Sequence, residues 1–353
     1  MTTTTINRAF RLRRRPEGQL ADADLDLVDE PLPELAPGQA LVRNLVLSID
    51  PTSRIWMGHA RSFTPPVPLG AVMRGLGVGE VVASRREDLR AGDAVVGFTG
   101  WQEYCLADDT LLEAPLTVLP APLPAPPSMF LGVLGHTGIT AYLGVEFLAP
   151  RPGQTMVVAA AAGAVGSIAG QLAKRSGARV VGIAGGPEKC RHVTEQLGFD
   201  ACVDYKAPDW RAQLDAATPD GIDLDFENAG GELMDHVLMR LNLNARVFLC
   251  GMVSQYNGSG ERADWRGLVN IDQIHMQRAT VQGFIVTDHL PRWPEIIGEL
   301  AQLVLSGELH HDETFTEGLE SAPAALDALF TGQTRGKLLV RIAEPSALPV
   351  AAR

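Results

Sequence analysis

The stretch Met156 to Lys189, MVVAAAAGAVGSIAGQLAKRSGARVVGIAGGPEK, constrains this chain more than any other. An apolar run leads into a glycine-containing turn, a helical pattern and a second apolar run, which specifies strand, turn, helix and strand in that order. Ala161, Gly163 and Gly166 stand where a G-x-G-x-x-G fingerprint has its glycines, with Ala161 replacing the first. Such a turn brings backbone and the positive end of a helix against a pyrophosphate, so the segment reads as the opening βαβ unit of a dinucleotide-binding domain. A membrane helix competes, since Met156 to Ala173 is almost free of charge and holds a G-x-x-x-G pair at Gly166 and Gly170. Composition argues against it: the run is mostly Ala and Gly, contains Ser167 and Gln171, and is followed by the strand pattern RVVGIA.

With 353 residues, 46% of them apolar, the chain is long enough for two domains, each with its own core. Its net charge of −12 argues against a nucleic-acid or anionic-membrane partner, which would repel the chain as a whole. Cys105, Cys190, Cys202 and Cys250 lack C-x-x-C spacing, so neither a zinc knuckle nor a disulfide framework is suggested, and a reducing cytoplasm is the expected compartment. Arg8, Arg11, Arg13, Arg14 and Arg15 precede any acidic residue, as in a transit peptide. They alternate with Ala9, Phe10 and Leu12, however, as an exposed strand would.

Residues 1–128 are rich in Pro, Gly and short β-branched runs such as QALVRNLVLSI, GVGEVVAS and DAVVGFTG, the pattern of a β-rich domain. The proline-dense LPAPLPAPPS, from Leu119 to Ser128, suits an extended connector and marks the boundary. From Met129 strands and helices alternate, with strands expected at Thr155–Ala160, Arg179–Ala184, Ala201–Asp204, Ile222–Glu227, Arg246–Cys250 and Val281–Val286. This predicts an α/β fold with a Rossmann-type doubly wound parallel sheet over residues 129–309. After an amphipathic helix from Arg292 to Leu305, GKLLVRIAEP returns to a β pattern, so residues 310–353 are expected to rejoin the first domain, with the cofactor domain as an insertion. The active cleft should then lie between the domains, outside the carboxyl ends of the parallel strands.

In an NAD-selecting fold the second strand ends in Asp or Glu, which binds the ribose hydroxyl and repels an added phosphate. Here it runs VVGIAGGPEK, and Lys189 is the residue expected to face the phosphate, with Arg191 and Lys206 as further candidates. NADP(H) is therefore the expected cofactor.

EPLPELAPGQALVRNLVLSIDP, AAAGAVGS, EKCRHVTEQLGFDACVDYK, FENAGGE, CGMVSQYN, GFIV and FTGQTRGKLLV together span nearly the whole chain. In these segments it resembles the medium-chain dehydrogenase/reductase superfamily, specifically the zinc-free branch of prostaglandin, alkenal/enone and curcumin reductases. The resemblance implies that the β-rich domain is GroES-like. It implies that Ala164, Val165, Gly166 and Ser167 line the pyrophosphate, and Lys189 and Tyr205 the adenosine phosphate. Asn228, Cys250, Gly251, Met252, Val253, Ser254, Tyr256, Phe284, Ile285 and Val286 would line the nicotinamide side. Two positions depart from the pattern: Thr52 stands where members often have Tyr, and Thr334, on the cofactor side, where many have Asn. Homodimerisation through the VQGFIV strand is a further implication.

Zinc-dependent relatives carry a Gly-His-Glu and cysteine ligands, whereas the comparable LGAVMRGLGVGE holds no His or Cys, so no metal is expected. His59 and His136 read as loop residues rather than ligands. A zinc-free cleft suits conjugate addition to an enone or enal, in which negative charge spreads into an enolate. Tyr256 is the first candidate proton donor and His136 the second. Thr52, Trp56, Tyr256 and the stretch 258–267 are expected to shape the substrate pocket. A quinone oxidoreductase and a non-catalytic NADPH-binding protein are the alternatives.

Overall fold

The computed structural model describes residues 6–59, 62–110, 114–257 and 267–344. Its first part is built from short strands: β1 (Ile6–Leu12), β2 (Leu25–Pro31), β3 (Ala40–Ser48), β4 (Gly77–Ser84), β5 (Ala94–Gly97), β6 (Tyr104–Ala107) and β7 (Thr117–Val118). One short helix, α1 (Thr52–Met57), follows β3. After the proline-rich connector and α2 (His136–Leu148) come β8 (Thr155–Ala159), α3 (Gly166–Arg175), β9 (Arg179–Ala184), α4 (Pro187–Glu195), β10 (Ala201–Asp204) and α5 (Trp210–Ala217). The alternation continues through β11 (Ile222–Glu227), α6 (Gly231–Met239), β12 (Leu241–Leu249), α7 (Asp272–Met276), β13 (Thr280–Gly283) and α8 (Trp293–Leu305). β14 (Glu313–Glu317), α9 (Ala322–Thr331) and β15 (Lys337–Arg341) complete the described elements.

β8 to β13 form a six-stranded sheet in the order β10-β9-β8-β11-β12-β13, and every pairing in it is parallel. Every residue of β8 is buried, as a central strand covered by helices on both faces requires. The order reverses between β8 and β11, and this switch point opens a crevice at the strands' carboxyl ends. The uncharged run Met156–Ala173 is thus divided between β8, a turn and α3, and among the described residues no helix is long and apolar enough to cross a membrane. Gly170 answers to packing inside this chain: a Cβ there would lie 1.8 Å from the Phe199 ring.

Two strands differ from the pattern expected. β12 begins at Leu241, because its first half, bearing Asn242 and Asn244, is partly exposed and lacks an apolar run. β13 stops at Gly283, so Phe284, Ile285 and Val286 leave the sheet, with the Phe284 ring turned onto Phe248 at 4.9 Å between centroids. Arg292 precedes α8 rather than opening it.

The other large sheet runs β14-β15-β3-β4-β5-β7, with β6 also on β3. β15 lies antiparallel to β3 and parallel to β14, so the last described strands sit in the same sheet as the early ones. The N-terminal arginines are spent on this fold: Arg11 pairs with Glu30, Arg13 with Asp26 and Arg14 with Asp24, while Arg15 donates to the carbonyls of Met57 and Val67.

Candidate active site

The turn after β8 is tight. Ala160 takes the left-handed conformation at φ 53°, and Gly166 packs so closely under it that a Cβ would lie 2.5 Å from the Ala160 carbonyl oxygen. Ala161, at the first-glycine position, is fully buried and faces Gly182 of β9, whose missing side chain makes room for its methyl. Among the described residues the amides of Ala164, Val165 and Gly166 have no backbone acceptor, leaving several donors at the start of α3 for an anion. Ser167 is buried one residue further in, and its amide bonds back to Gly163. The chain returns to this turn from its far end: Gly336 donates to the Ala162 carbonyl at 2.9 Å.

At the end of β9, Gly186 holds φ 96° and begins α4, which presents Lys189 in its first turn. Burial, with Lys206 and Arg335 nearby, pushes the Lys189 ammonium below its ordinary pKa, and among the described residues no carboxylate pairs with it. Three cations thus converge, and among the described residues only Arg335 has a carboxylate near it, Asp312 at 3.7 Å, which leaves Lys189 and Lys206 for a phosphate. Tyr205 lies across Gly185, where a Cβ would meet its ring at 2.8 Å, and burial raises its hydroxyl pKa. The Asp204 carboxylate accepts from the amides of Gly186 and Lys206, tying the two loops of the pocket together. Arg191 is exposed and points to no partner among the described residues. Arg335 escaped the sequence reading although it adjoins Thr334. Its role emerges only because the loop preceding β15 folds over Tyr205 and Lys206, with Gly332 beside both side-chain tips. Thr334 is half-buried in that loop.

On the other side of the switch point, Asn228 donates to the Ala159 carbonyl at 2.8 Å and accepts from the Val253 amide. Glu227 organises both segments here. Its main-chain carbonyl accepts from Cys250 and Gly251, and its carboxylate from the amides of Ala229 and Gly230. Burial raises the Cys250 thiol to about 12, so it is no nucleophile. Ser254 donates to the Ala229 carbonyl, and Met252 packs on Gly230. Tyr256 curls back so that its hydroxyl accepts the Met252 amide at 3.1 Å and lies against Gly251. Its own proton meets no acceptor among the described residues. Asn257 accepts from Arg54 of α1, which docks this loop on the β-rich part; residues 258–266 of the expected substrate loop lie outside the described residues. Phe284 stacks on His289, Ile285 is extended, and the Val286 carbonyl accepts the Trp293 indole N–H.

His136 opens α2 rather than preceding it, and sits in a row of rings: Trp56, Phe98, His136 and Trp293 meet edge to face, His136 and Trp293 at 4.8 Å. Burial, against the opposing pull of Asp50, lowers the imidazole to about 4, so it is neutral near pH 7. Thr52 and Trp56 lie on α1, and the Trp56 indole N–H has no partner among the described residues. Beneath His136, Asp50 and the buried Lys337 form a largely enclosed ion pair at 2.5 Å that the sequence reading missed.

Zinc does not fit this cleft. Beside His136 the neighbouring carboxylate Asp50 is already neutralised by Lys337, the Cys250 thiol is kept protonated by burial, and Arg74 lies in the stretch where zinc-dependent relatives carry a ligand. Elsewhere, behind α4, His192, His310 and Asp312 hold ligand atoms within 4.8 Å of one another, but Arg335 approaches the same carboxylate at 3.7 Å. A shallow concavity of about 460 Å³ lined by Thr155, Arg179 and Asp223 lies at the strands' opposite ends and contains none of these site residues.

Residues 8–114 match the family model described as the N-terminal domain of oxidoreductase, and residues 164–302 that of zinc-binding dehydrogenase. The NADPH-dependent curcumin reductase of Escherichia coli is 41% identical over 341 residues, covering 96% of this chain and 97% of that protein. This chain belongs to the medium-chain dehydrogenase/reductase superfamily, in its enone reductase branch. The NADP(+)-dependent 2-alkenal reductase of Nicotiana tabacum is 35% identical, with 97% of this chain and 99% of that one covered. Among solved structures, CurA from Vibrio vulnificus in complex with NADPH superposes with a TM-score of 0.89 at 38% identity, covering 96% of this chain and all of that one.

Proposed function

We propose that this chain is an NADPH-dependent reductase of the carbon–carbon double bond of α,β-unsaturated ketones or aldehydes. It is an oxidoreductase whose cofactor is NADPH. The observation that carries the reading is the convergence of Lys189, Lys206 and Arg335 at the end of β9, beside a glycine turn with free amides and across the crevice from the Tyr256 hydroxyl. The proposed division of labour gives residues 129–309 the cofactor, and residues 1–128 and 310–353 the substrate.

When bound, NADPH supplies a hydride to the carbon β to the carbonyl. Ala164, Val165, Gly166 and Ser167 would hold the pyrophosphate, Lys189, Tyr205 and Thr334 the adenosine side, and Asn228, Cys250 to Ser254 and Phe284 to Val286 the nicotinamide side. Tyr256 would stabilise the charge growing on the substrate oxygen and complete the reaction with a proton. Its hydroxyl already accepts from the Met252 amide, which leaves the O–H free to donate, and burial keeps it protonated at neutral pH. His136, neutral and ringed by Phe98 and Trp293, would serve with Thr52 and Trp56 as pocket wall, making it the weaker donor of the two. The reading uses no metal. The edge strand β13, exposed and flanked by Val269, Ile271 and Met276, would pair two copies into a homodimer. Free thiols are consistent with a reducing compartment such as the cytoplasm.

Incubation with NADPH and an enone should give the saturated ketone, whereas a quinone oxidoreductase would consume NADPH with a naphthoquinone and leave the enone intact. Cofactor binding with no turnover across an enone panel would leave a binding protein. In Tyr256→Phe, kcat is expected to fall about ten-fold or more with NADPH affinity retained; an unchanged kcat removes the donor role. Lys189→Ala should weaken NADPH binding about ten-fold and leave NADH nearly unaffected, and equal losses for both would remove the phosphate assignment.

A further inference from the structure

Cys190 follows Lys189 in the first turn of α4, and Cys202 lies in β10, the strand that leads into Tyr205 and Lys206. The two Sγ atoms are 3.0 Å apart, with the Cys202 thiol donating to Cys190. Neither residue is fully buried, whereas Cys105 is, and Cys250 has no thiol partner among the described residues, so this is the one partly accessible thiol pair described. We propose that Cys190 and Cys202 are a redox modification site: hydroperoxides convert them to an intramolecular disulfide that weakens NADPH binding at the neighbouring phosphate pocket.

The chemistry balances with a hydroperoxide as oxidant. The Cys190 thiolate attacks the peroxide oxygen, the O–O bond breaks to give a sulfenic acid, and water or an alcohol leaves. The Cys202 sulfur then displaces hydroxide from that sulfenic acid, which departs as water; the two electrons of the dithiol have reduced the peroxide. Position favours Cys190 as the attacking sulfur, since it sits in the first turn of a helix and receives the hydrogen bond that stabilises a thiolate. The lowering of its pKa by that bond agrees.

Coupling to the cofactor follows from geometry. A disulfide needs about 2.05 Å between sulfurs, so the two Sγ atoms must approach by roughly 1 Å, which ties α4 to β10 and draws them together. Lys189 is one residue from the first sulfur and Lys206 four from the second, and the two ammonium groups already repel. Closure narrows the space a phosphate must enter between them. Because NADH carries no phosphate there, its affinity should not change. The coupling rests on the assignment of Lys189 to the phosphate; the disulfide chemistry does not.

The test treats the full-length protein with hydrogen peroxide and follows it by peptide mapping and cofactor titration. The expected result is loss of two hydrogens mapped to Cys190–Cys202, an NADPH affinity lowered about five-fold, NADH unchanged, and recovery with a dithiol. Cys105→Ser should respond as the parent protein does, and Cys190→Ser should not respond. No disulfide, or one mapped elsewhere, overturns the proposal in the parent protein alone, whatever the variants' folding. A mapped Cys190–Cys202 bond with unchanged NADPH affinity overturns the coupling; Lys189→Ala then separates the two faults, since an effect there clears the pocket assignment and its absence condemns it.

Discussion

Lys337→Met is expected to destabilise the protein by about 3 kcal/mol near neutral pH, because it leaves the carboxylate of Asp50 buried without its countercharge. Lys337 is only 4% exposed, and methionine retains most of its apolar stem, so the loss isolates the ammonium. In the native protein burial opposes the charge on Asp50, yet Lys337, Ser48 and His136 outweigh it and hold the carboxyl below its ordinary pKa. Its contribution is therefore present above the unfolded value of about 3.9 and is lost as pH falls through the lower folded value. The variant reverses the sign. Its orphaned carboxyl has a raised folded pKa, so the penalty grows as pH rises above about 3.9 and shrinks in acid. Urea midpoints at pH 7 and pH 5 read this directly, and the double variant Asp50→Asn/Lys337→Met should recover most of the loss. A single variant as stable as its parent at pH 7 would show that the pair contributes nothing.

Asp225→Val should do the opposite and stabilise the fold by about 2 kcal/mol at pH 8. Asp225 is fully buried in the central strand β11, between Val157 of β8 and Val247 of β12, and among the described residues neither carboxylate oxygen has a hydrogen-bond partner. Burial, reinforced by Glu227 two residues on, raises its pKa well above that of a free aspartate. A raised folded pKa means full stability below about pH 3.9 and a growing cost as pH climbs toward the folded value, so the gain from valine should be larger at pH 8 than at pH 5. Burial raises the Glu227 carboxyl as well, and it keeps its turn amides in the variant. Thermal midpoints that fall in Asp225→Val at both pH values would mean that the carboxyl is satisfied in a way its surroundings do not reveal.

Local pattern was a reliable guide wherever one short segment carries the whole instruction. The turn from Ala160 to Ser167 was legible because the close approach at Gly166 admits no side chain, and four of the six parallel strands were placed to within a residue because each is a short, mainly apolar or β-branched run bounded by turn residues. β12 was read short because Asn242 and Asn244 interrupt that run on a partly exposed stretch. Lys189 was singled out by the absence of an acid at the end of the second strand, a local feature. Arg335 was not, since its approach to Lys189 depends on a loop that lies more than a hundred residues away in the chain.

The amino-acid sequence by itself determined the doubly wound sheet and the tight turn after β8, and it singled out Lys189 as the cation proposed for the adenosine phosphate, since each follows from periodicity, missing side chains or charge within a few residues. Only the tertiary structure decided that Asp50 and Lys337 pair under His136, that Arg335 joins Lys189 and Lys206, and that Cys190 meets Cys202. Those contacts join residues separated by many turns of chain, and a charge, a thiol or an imidazole acquires its chemistry from its neighbours in space.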